Sequence, residues 1–255
     1  SYSSQPFVNF TVMALIIIGG IGFLTWEDIK NNKLHIRKYR MQSKVILTVT
    51  VILIFLPALY FFFFEYQRLP LGERFLTSLF QSVTPRTAGF NTTDLTTLSE
   101  TGQMLITLLM LIGGSPGSTA GGMKTTTIAV LVSSALSVFR KKEETHFFKR
   151  CISDDTVKSA ATIFLLYIGL FIGGGMIISR LENIPLLPSL FETASAIGTV
   201  GLSLGITSQL GIVSQFILII LMFFGRVGGL TLIFAATTKT AANAAKYPKE
   251  KITVG

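Results

Sequence analysis

The sequence predicts an all-α membrane protein. Its repeated unit is a helix, a short re-entrant helix, a non-helical loop and a second helix, present twice in full with the end of another in front. Three observations predict it. The 255 residues are 49% hydrophobic, with a mean hydropathy of +0.60 and only 14% charged residues; a soluble chain carries about 25%. Two apolar stretches are too short for the roughly 20 residues that span a bilayer. Each leads into a matching word, Thr87-Ala88-Gly89-Phe90-Asn91 and Thr199-Val200-Gly201-Leu202-Ser203, whose central glycines are 112 residues apart.

The elements follow in order along the chain. Residues 7–26 form a first apolar span, running outside to inside. Residues 45–64 return outward and end in Phe61-Phe62-Phe63-Phe64, with Tyr66 beyond, as an interfacial aromatic belt does. Residues 72–84 open near Ser78-Leu79-Phe80 and stop before Pro85, too short to cross. Residues 103–139 go in, 158–179 out and 213–238 in again, with the second short segment, 188–197, beginning Ser189-Leu190-Phe191. Non-helical backbone at membrane depth is tolerated only inside protein or against a water-filled cavity. The short segments are therefore expected to be pore helices.

A register runs through these units. Gly113 lies 24 residues after Gly89, and Gly225 lies 24 after Gly201. Ile18-Gly19-Gly20-Ile21-Gly22 echoes Phe224-Gly225-Arg226-Val227-Gly228. The chain is thus expected to start inside a unit: 1–44 as the last helix of an incomplete second repeat plus a loop, 45–157 as a third repeat, and 158–255 as a fourth with its tail. The expectation is a C-terminal portion of a longer protein.

The net charge of +9 is segregated rather than spread. Sixteen of the 22 basic residues fall in 30–44, 140–158 and the tail from Lys239 to Lys251. All three segments lie on one predicted side, which the positive-inside rule makes cytoplasmic, C-terminus included. This pattern reads as topology and anionic-lipid contact, with docking of a cytoplasmic partner as the other reading; it does not suggest nucleic acid. The single cysteine, Cys151, excludes an internal disulfide.

Thr-x-Gly behind a half-length helix is the outline of an ion-selectivity filter, in which backbone carbonyls replace an ion's hydration shell. One such word is noise, but two in register are specific. The segment Gly113-Gly114-Ser115-Pro116-Gly117-Ser118-Thr119-Ala120-Gly121-Gly122-Met123-Lys124 interrupts the third span. Its proline and glycines do not continue a helix. It is expected to form a movable gate loop below the filter; a small-residue packing face is the alternative. Arg226 and Lys124 lie at membrane depth, where a charge costs roughly 2.5–3.5 kcal/mol on insertion scales. Arg226 is expected to face the cavity beside the loop. For Lys124, a buried position and a side chain reaching the inner interface both stay open. Arg86 is expected to pin its filter by a buried hydrogen bond, Glu73 to favour a helix start and Glu192 to attract cations.

Two enzyme readings fail. Gly117 to Lys124 resembles a phosphate-binding loop, but Met123 separates Gly122 from Lys124 and no strand precedes it. A membrane serine hydrolase using Ser115 or Ser118 lacks a histidine at that depth, since His35 and His146 sit in charged loops.

Through the filter words, the Gly113–Lys124 loop and Phe224-Gly225-Arg226-Val227-Gly228, the chain resembles the Trk/Ktr/HKT superfamily of potassium transporters, and most closely the bacterial Ktr-type membrane subunit. The resemblance implies helix–pore helix–filter–helix pseudo-repeats around one pore in the bacterial inner membrane. It implies potassium coordinated by the backbone carbonyls of Thr87, Ala88, Gly89, Thr199, Val200 and Gly201, with glycine at both filter centres favouring potassium over sodium. It further implies a gate at Gly113–Thr125 with Arg226 beside it, sodium as an activator, and a membrane homodimer on a cytoplasmic nucleotide-binding regulatory ring. A truncated non-conducting interaction subunit and a sodium-selective relative are the competing readings. A homotetrameric channel is disfavoured, because one chain carries two different filters.

Overall fold

The computed structural model describes residues 5–33, 35–142 and 144–228. The basic tail and the last stretch of the 213–238 span lie outside the described residues. The architecture is helical: α1 (Pro6–Gly20), α2 (Phe23–Asn32), α3 (Met41–Tyr60), α4 (Leu71–Val83), α5 (Glu100–Leu111), α6 (Thr125–Phe139), α7 (Asp154–Glu182), α8 (Leu186–Ile197) and α9 (Ile212–Val227). A two-stranded antiparallel hairpin, β1 (Thr145–Phe147) and β2 (Arg150–Ile152), joins α6 to α7.

The first span is not continuous. It breaks between α1 and α2 with a bend of 98°. Gly22, at φ +84°, supplies the turn, and a Cβ there would lie 2.4 Å from the Pro116 carbonyl oxygen. Beyond the break α2 is polar, and its buried Asp28 accepts hydrogen bonds from the Arg40 backbone N–H (3.0 Å) and Ser43 Oγ (2.6 Å). Asp28 thereby fastens α2 to the start of α3. The aromatic run ends α3 in a π-helical turn, Phe61–Glu65. Phe61 and Tyr66 turn inward into the main core, while Phe63 and Phe64 stay exposed as a belt requires.

The two units repeat one another in space. Helix α3 packs on α4, and α7 packs on α8. Both short helices start directly after a proline, Pro70 and Pro185, whose fixed φ suits a helix entry. The second long element is split into α5 and α6 in the first unit and begins with α9 in the second. Helix α8 lies between α5, α7 and α9, and the core gathers around it from Phe191 and Ile197 with Ile106, Met110 and Ile178. A smaller core joins Met13 of α1 to Ile54, Leu76, Phe80 and Val83. Among the described helices, α3 with its π turn and α7 are long and apolar enough to cross a membrane, and the bent α1–α2 pair passes jointly.

A carboxylate device recurs, with its donor ends Ser99 and Gly211 112 residues apart and the carboxylates Glu65 and Glu182 117 apart. Glu65 accepts from the Ser99 backbone N–H (3.1 Å) and Ser99 Oγ (2.5 Å) at the start of α5. Glu182 accepts from the Gly211 N–H (2.9 Å) and Ser214 Oγ (2.5 Å) at the start of α9. Each carboxylate ends the first helix of its unit and satisfies backbone donors at the start of the last, where a negative charge also complements the helix dipole.

Candidate functional site

The two Thr-x-Gly loops share one backbone pattern. Thr87 and Thr199 have φ of +59° and +51°, Gly89 and Gly201 have φ of +70° and +92°, and neither Ala88 nor Val200 is positive. A β-branched residue at positive φ is an outlier that its surroundings must impose. They do so by folding each loop back on its short helix. In the first unit the Ala88 and Gly89 N–H groups both reach the Thr84 carbonyl (3.3 and 3.2 Å), and Thr84 Oγ1 donates to the Phe90 carbonyl (2.6 Å). In the second, the Val200 N–H donates to the Ser195 carbonyl (2.8 Å) and the Gly201 N–H to Ser195 Oγ (3.0 Å). The loops also meet: a Cβ on Gly89 would lie 2.0 Å from the Val200 carbonyl oxygen.

Charged side chains brace these loops from behind. Arg86 is 4% exposed, and its Nη2 donates to Thr50 Oγ1 of α3 at 3.3 Å, which ties the first loop to the outer helix. Glu192 is buried behind the second loop, where its two oxygens accept from Ser203 Oγ (2.5 Å) and Thr207 Oγ1 (2.9 Å). Those bonds make Glu192 a tie within the loop. Glu73 sits in the first turn of α4.

Residues Gly113 to Lys124 leave the helix between α5 and α6 and form a closed loop. Its neck is the Ile112–Met123 bridge, with the Gly113 N–H donating to the Met123 carbonyl at 2.8 Å and the Thr125 N–H to Gly114 at 3.1 Å. Glycine is obligatory at the neck, because a Cβ on Gly113 would lie 1.9 Å from the Gly121 carbonyl oxygen. The loop is held on both flanks by glycine carbonyls of neighbouring helices, Gly20 at the end of α1 and Gly225 within α9. The Ser115 N–H donates to Gly20 (2.9 Å), and the Gly122 N–H donates to Gly225 (3.0 Å). A Cβ on Gly121 would stand 2.2 Å from Thr199 Oγ1, so the loop abuts the second Thr-x-Gly word.

Both membrane-depth cations bond to this loop. Arg226 Nη1 donates to the Thr119 carbonyl at 2.7 Å, and Lys124 Nζ donates to the Ala120 carbonyl at 2.7 Å. Arg226 lines a cavity of about 440 Å³ together with Thr199, Val200, Gly201 and Glu192. A second cavity of about 330 Å³ holds Arg86, Thr87 and Ala88 opposite Gly19, Gly20 and Thr119. Each Thr-x-Gly word thus opens on a hollow whose far wall carries a loop residue or its arginine partner. Phe90 and Asn91 are exposed at the outer end of the first word, whereas Leu202 is buried at the matching place in the second.

Three kinds of contact around the site were not legible beforehand. Nothing in the sequence singles out the Glu65 and Glu182 ties. The bonds from Gly20 and Gly225 run through backbone, which leaves no side-chain signature, although the repeated glycines mark the places. The charge-free tie of Thr84 to Phe90 begins three residues before the quoted word and has no distinctive spacing.

The sequence profile of the TrkH family, described as "Cation transport protein", matches residues 1–246. The chain is 38% identical over 263 residues to the potassium/sodium uptake protein NtpJ of Enterococcus hirae, covering 99% of this chain and 58% of that one. It is 35% identical over 266 residues to the Ktr system potassium uptake protein B of Bacillus subtilis, covering 100% of this chain and 58% of that one. The chain therefore spans somewhat over half the length of these relatives. The crystal structure of the potassium transporter TrkH from Vibrio parahaemolyticus shares the fold, with a TM-score of 0.75 at 20% identity over 92% of this chain and 53% of that one.

Proposed function

Because the chain belongs to the TrkH family of cation transport proteins, we propose that it forms the third and fourth pore-loop units of a potassium uptake protein of the cell membrane. One observation carries this reading: the two Thr-x-Gly words adopt the same unusual sequence of φ signs and press against each other. Alternating positive and negative φ lets successive carbonyls point the same way, where a regular strand would alternate them. A file of aligned carbonyls from Thr87, Ala88, Gly89, Thr199, Val200 and Gly201 replaces the hydration shell of a cation. The C-terminal ends of α4 and α8, which lead into the words, add negative dipole potential there.

On this reading the membrane potential drives uptake, at about 2.3 kcal/mol per charge per 100 mV, and no catalytic group is needed. The loop from Gly113 to Lys124 is the gate. Its contact with Thr199 and its bond to Arg226 support this reading. The fixed charge of Arg226 raises the barrier to a passing cation. Potassium is the preferred substrate, with sodium as an activator. A homodimer of the longer protein on a cytoplasmic nucleotide-binding ring supplies regulation, since a movable loop is what a cytoplasmic effector needs.

The test uses the full-length protein in cells lacking other potassium uptake. Gly201→Ser is expected to lower potassium affinity and discrimination against sodium while leaving membrane expression intact. Unchanged potassium-over-sodium discrimination would overturn the filter assignment.

A further inference from the structure

The linker between the two complete units carries chemistry that ion conduction does not use. Glu144, His146 and Cys151 present ligand atoms that all lie within 4.8 Å of one another. The hairpin explains the convergence. His146 pairs directly with Cys151 across the antiparallel ladder, so their side chains leave the same face. Glu144 is two residues before His146 and shares that face, while Thr145 between them is buried on the other. Phe148 and Lys149 both have positive φ, +46° and +66°, which is the type I′ turn that closes a tight hairpin and fixes the register.

We propose that Glu144, His146 and Cys151 form a transition-metal site of the zinc class, with a fourth position left for water or a partner's ligand. A thiolate, an imidazole and a carboxylate together suit zinc; magnesium and calcium prefer all-oxygen sites. Metal–ligand bonds of about 2.0–2.3 Å put tetrahedral ligand atoms about 3.3–3.8 Å apart. The three side chains are exposed, and their ligand atoms lie within 4.8 Å of one another. Cys151 is the chain's single cysteine, so no other cysteine of the chain competes for it in a disulfide. Its thiol donates to the Glu144 carboxylate, and this bond, with partial desolvation and the carboxylate's charge, holds Cys151 above the usual thiol range.

The site contains none of the residues assigned to the ion path, so its metal is a ligand of the linker and not the cargo. The hairpin is tied to α6 by the bond from Ser133 Oγ to the His146 carbonyl at 3.2 Å. Phe147 and Cys151 also line a cavity of about 520 Å³ whose wall includes Pro116 of the glycine loop.

The experiment titrates Co²⁺, then Zn²⁺, into the full-length protein purified in detergent, with any cysteine other than Cys151 removed. Co²⁺ is expected to give a thiolate-to-metal charge-transfer band that Zn²⁺ abolishes by displacement, and Zn²⁺ is expected to slow maleimide labelling of Cys151. Cys151→Ser should remove the band, and His146→Ala or Glu144→Gln should weaken binding at least about tenfold. The variants' potassium uptake reports that they are folded. A band that survives Cys151→Ser, binding unchanged in His146→Ala, or labelling indifferent to Zn²⁺ would each overturn the site.

Discussion

Gly113→Ala probes the neck of the glycine loop without touching a charge. The added methyl carbon would start 1.9 Å from the Gly121 carbonyl oxygen, where a carbon–oxygen contact settles at about 3.3 Å. The two arms of the neck must therefore separate by about 1.4 Å, taking that contact distance as the target. The nearby bond from the Gly113 N–H to the Met123 carbonyl is 2.8 Å long and does not survive such a shift. Overpacking costs about 1–3 kcal/mol, and leaving a buried backbone pair unmade adds about 1–3 kcal/mol. Gly117→Ala is the matched control. It sits in the same loop with nothing within 4 Å of a Cβ, so its φ of +70° is the sole penalty, about 1–2 kcal/mol. Thermal unfolding in detergent and potassium uptake in deficient cells read both variants of the full-length protein. Gly113→Ala should melt clearly lower and change uptake, with Gly117→Ala falling between it and the parent. Equal melting temperatures, or a larger effect from Gly117→Ala, would refute the tight neck.

Two further outcomes follow from the same structure. Glu65→Ala and Glu182→Ala each strand donors at a helix start, so each should lower stability by about 0.5–2 kcal/mol, and Ser214→Ala should reproduce part of the Glu182 effect in the same unfolding assay. Arg226→Ala removes the bond to the Thr119 carbonyl and a cationic barrier, so ion flux through the full-length protein should rise; measured flux at or below the parent rate would count against a cavity-facing role.

The sequence carried the large elements because membrane depth constrains them severely. Backbone that is not helical must be hidden or hydrated there, so the short runs before Thr87 and Thr199 had few alternatives. The paired glycines marked close approaches for an equally simple reason: backbone carbonyls stand where a Cβ would be, against Gly89, Gly113 and Gly225. The misses have physical causes as well. Hydropathy saw 7–26 as one span because a bend at Gly20–Phe23 barely changes apolar content, yet the chain turns by 98° there. The aromatic run was read as a belt, but hydropathy does not record which way a ring points, and the π turn rotates Phe61 into the core. The hairpin was invisible because its turn uses Phe148 and Lys149 where glycine or asparagine is the usual signal.

The repeat also shows where the two units diverge. An N-terminal tie is present in both, through Glu65 with Ser99 and through Glu182 with Gly211 and Ser214. Such ties hold the starts of α5 and α9 alike, and the units differ further along these helices. There α5 gives way to the glycine loop, while α9 carries on through Gly225 to Arg226. The helix that stays whole provides both a carbonyl, Gly225, and a cation, Arg226, to the one that is broken. The loop is anchored at its neck and on two flanks through backbone bonds, and its side-chain bonds include those from Thr119 to Gly19, from Arg226 to Thr119 and from Lys124 to Ala120. The two units thus share the tie at the start of α5 and α9 and differ where the glycine loop meets Thr199.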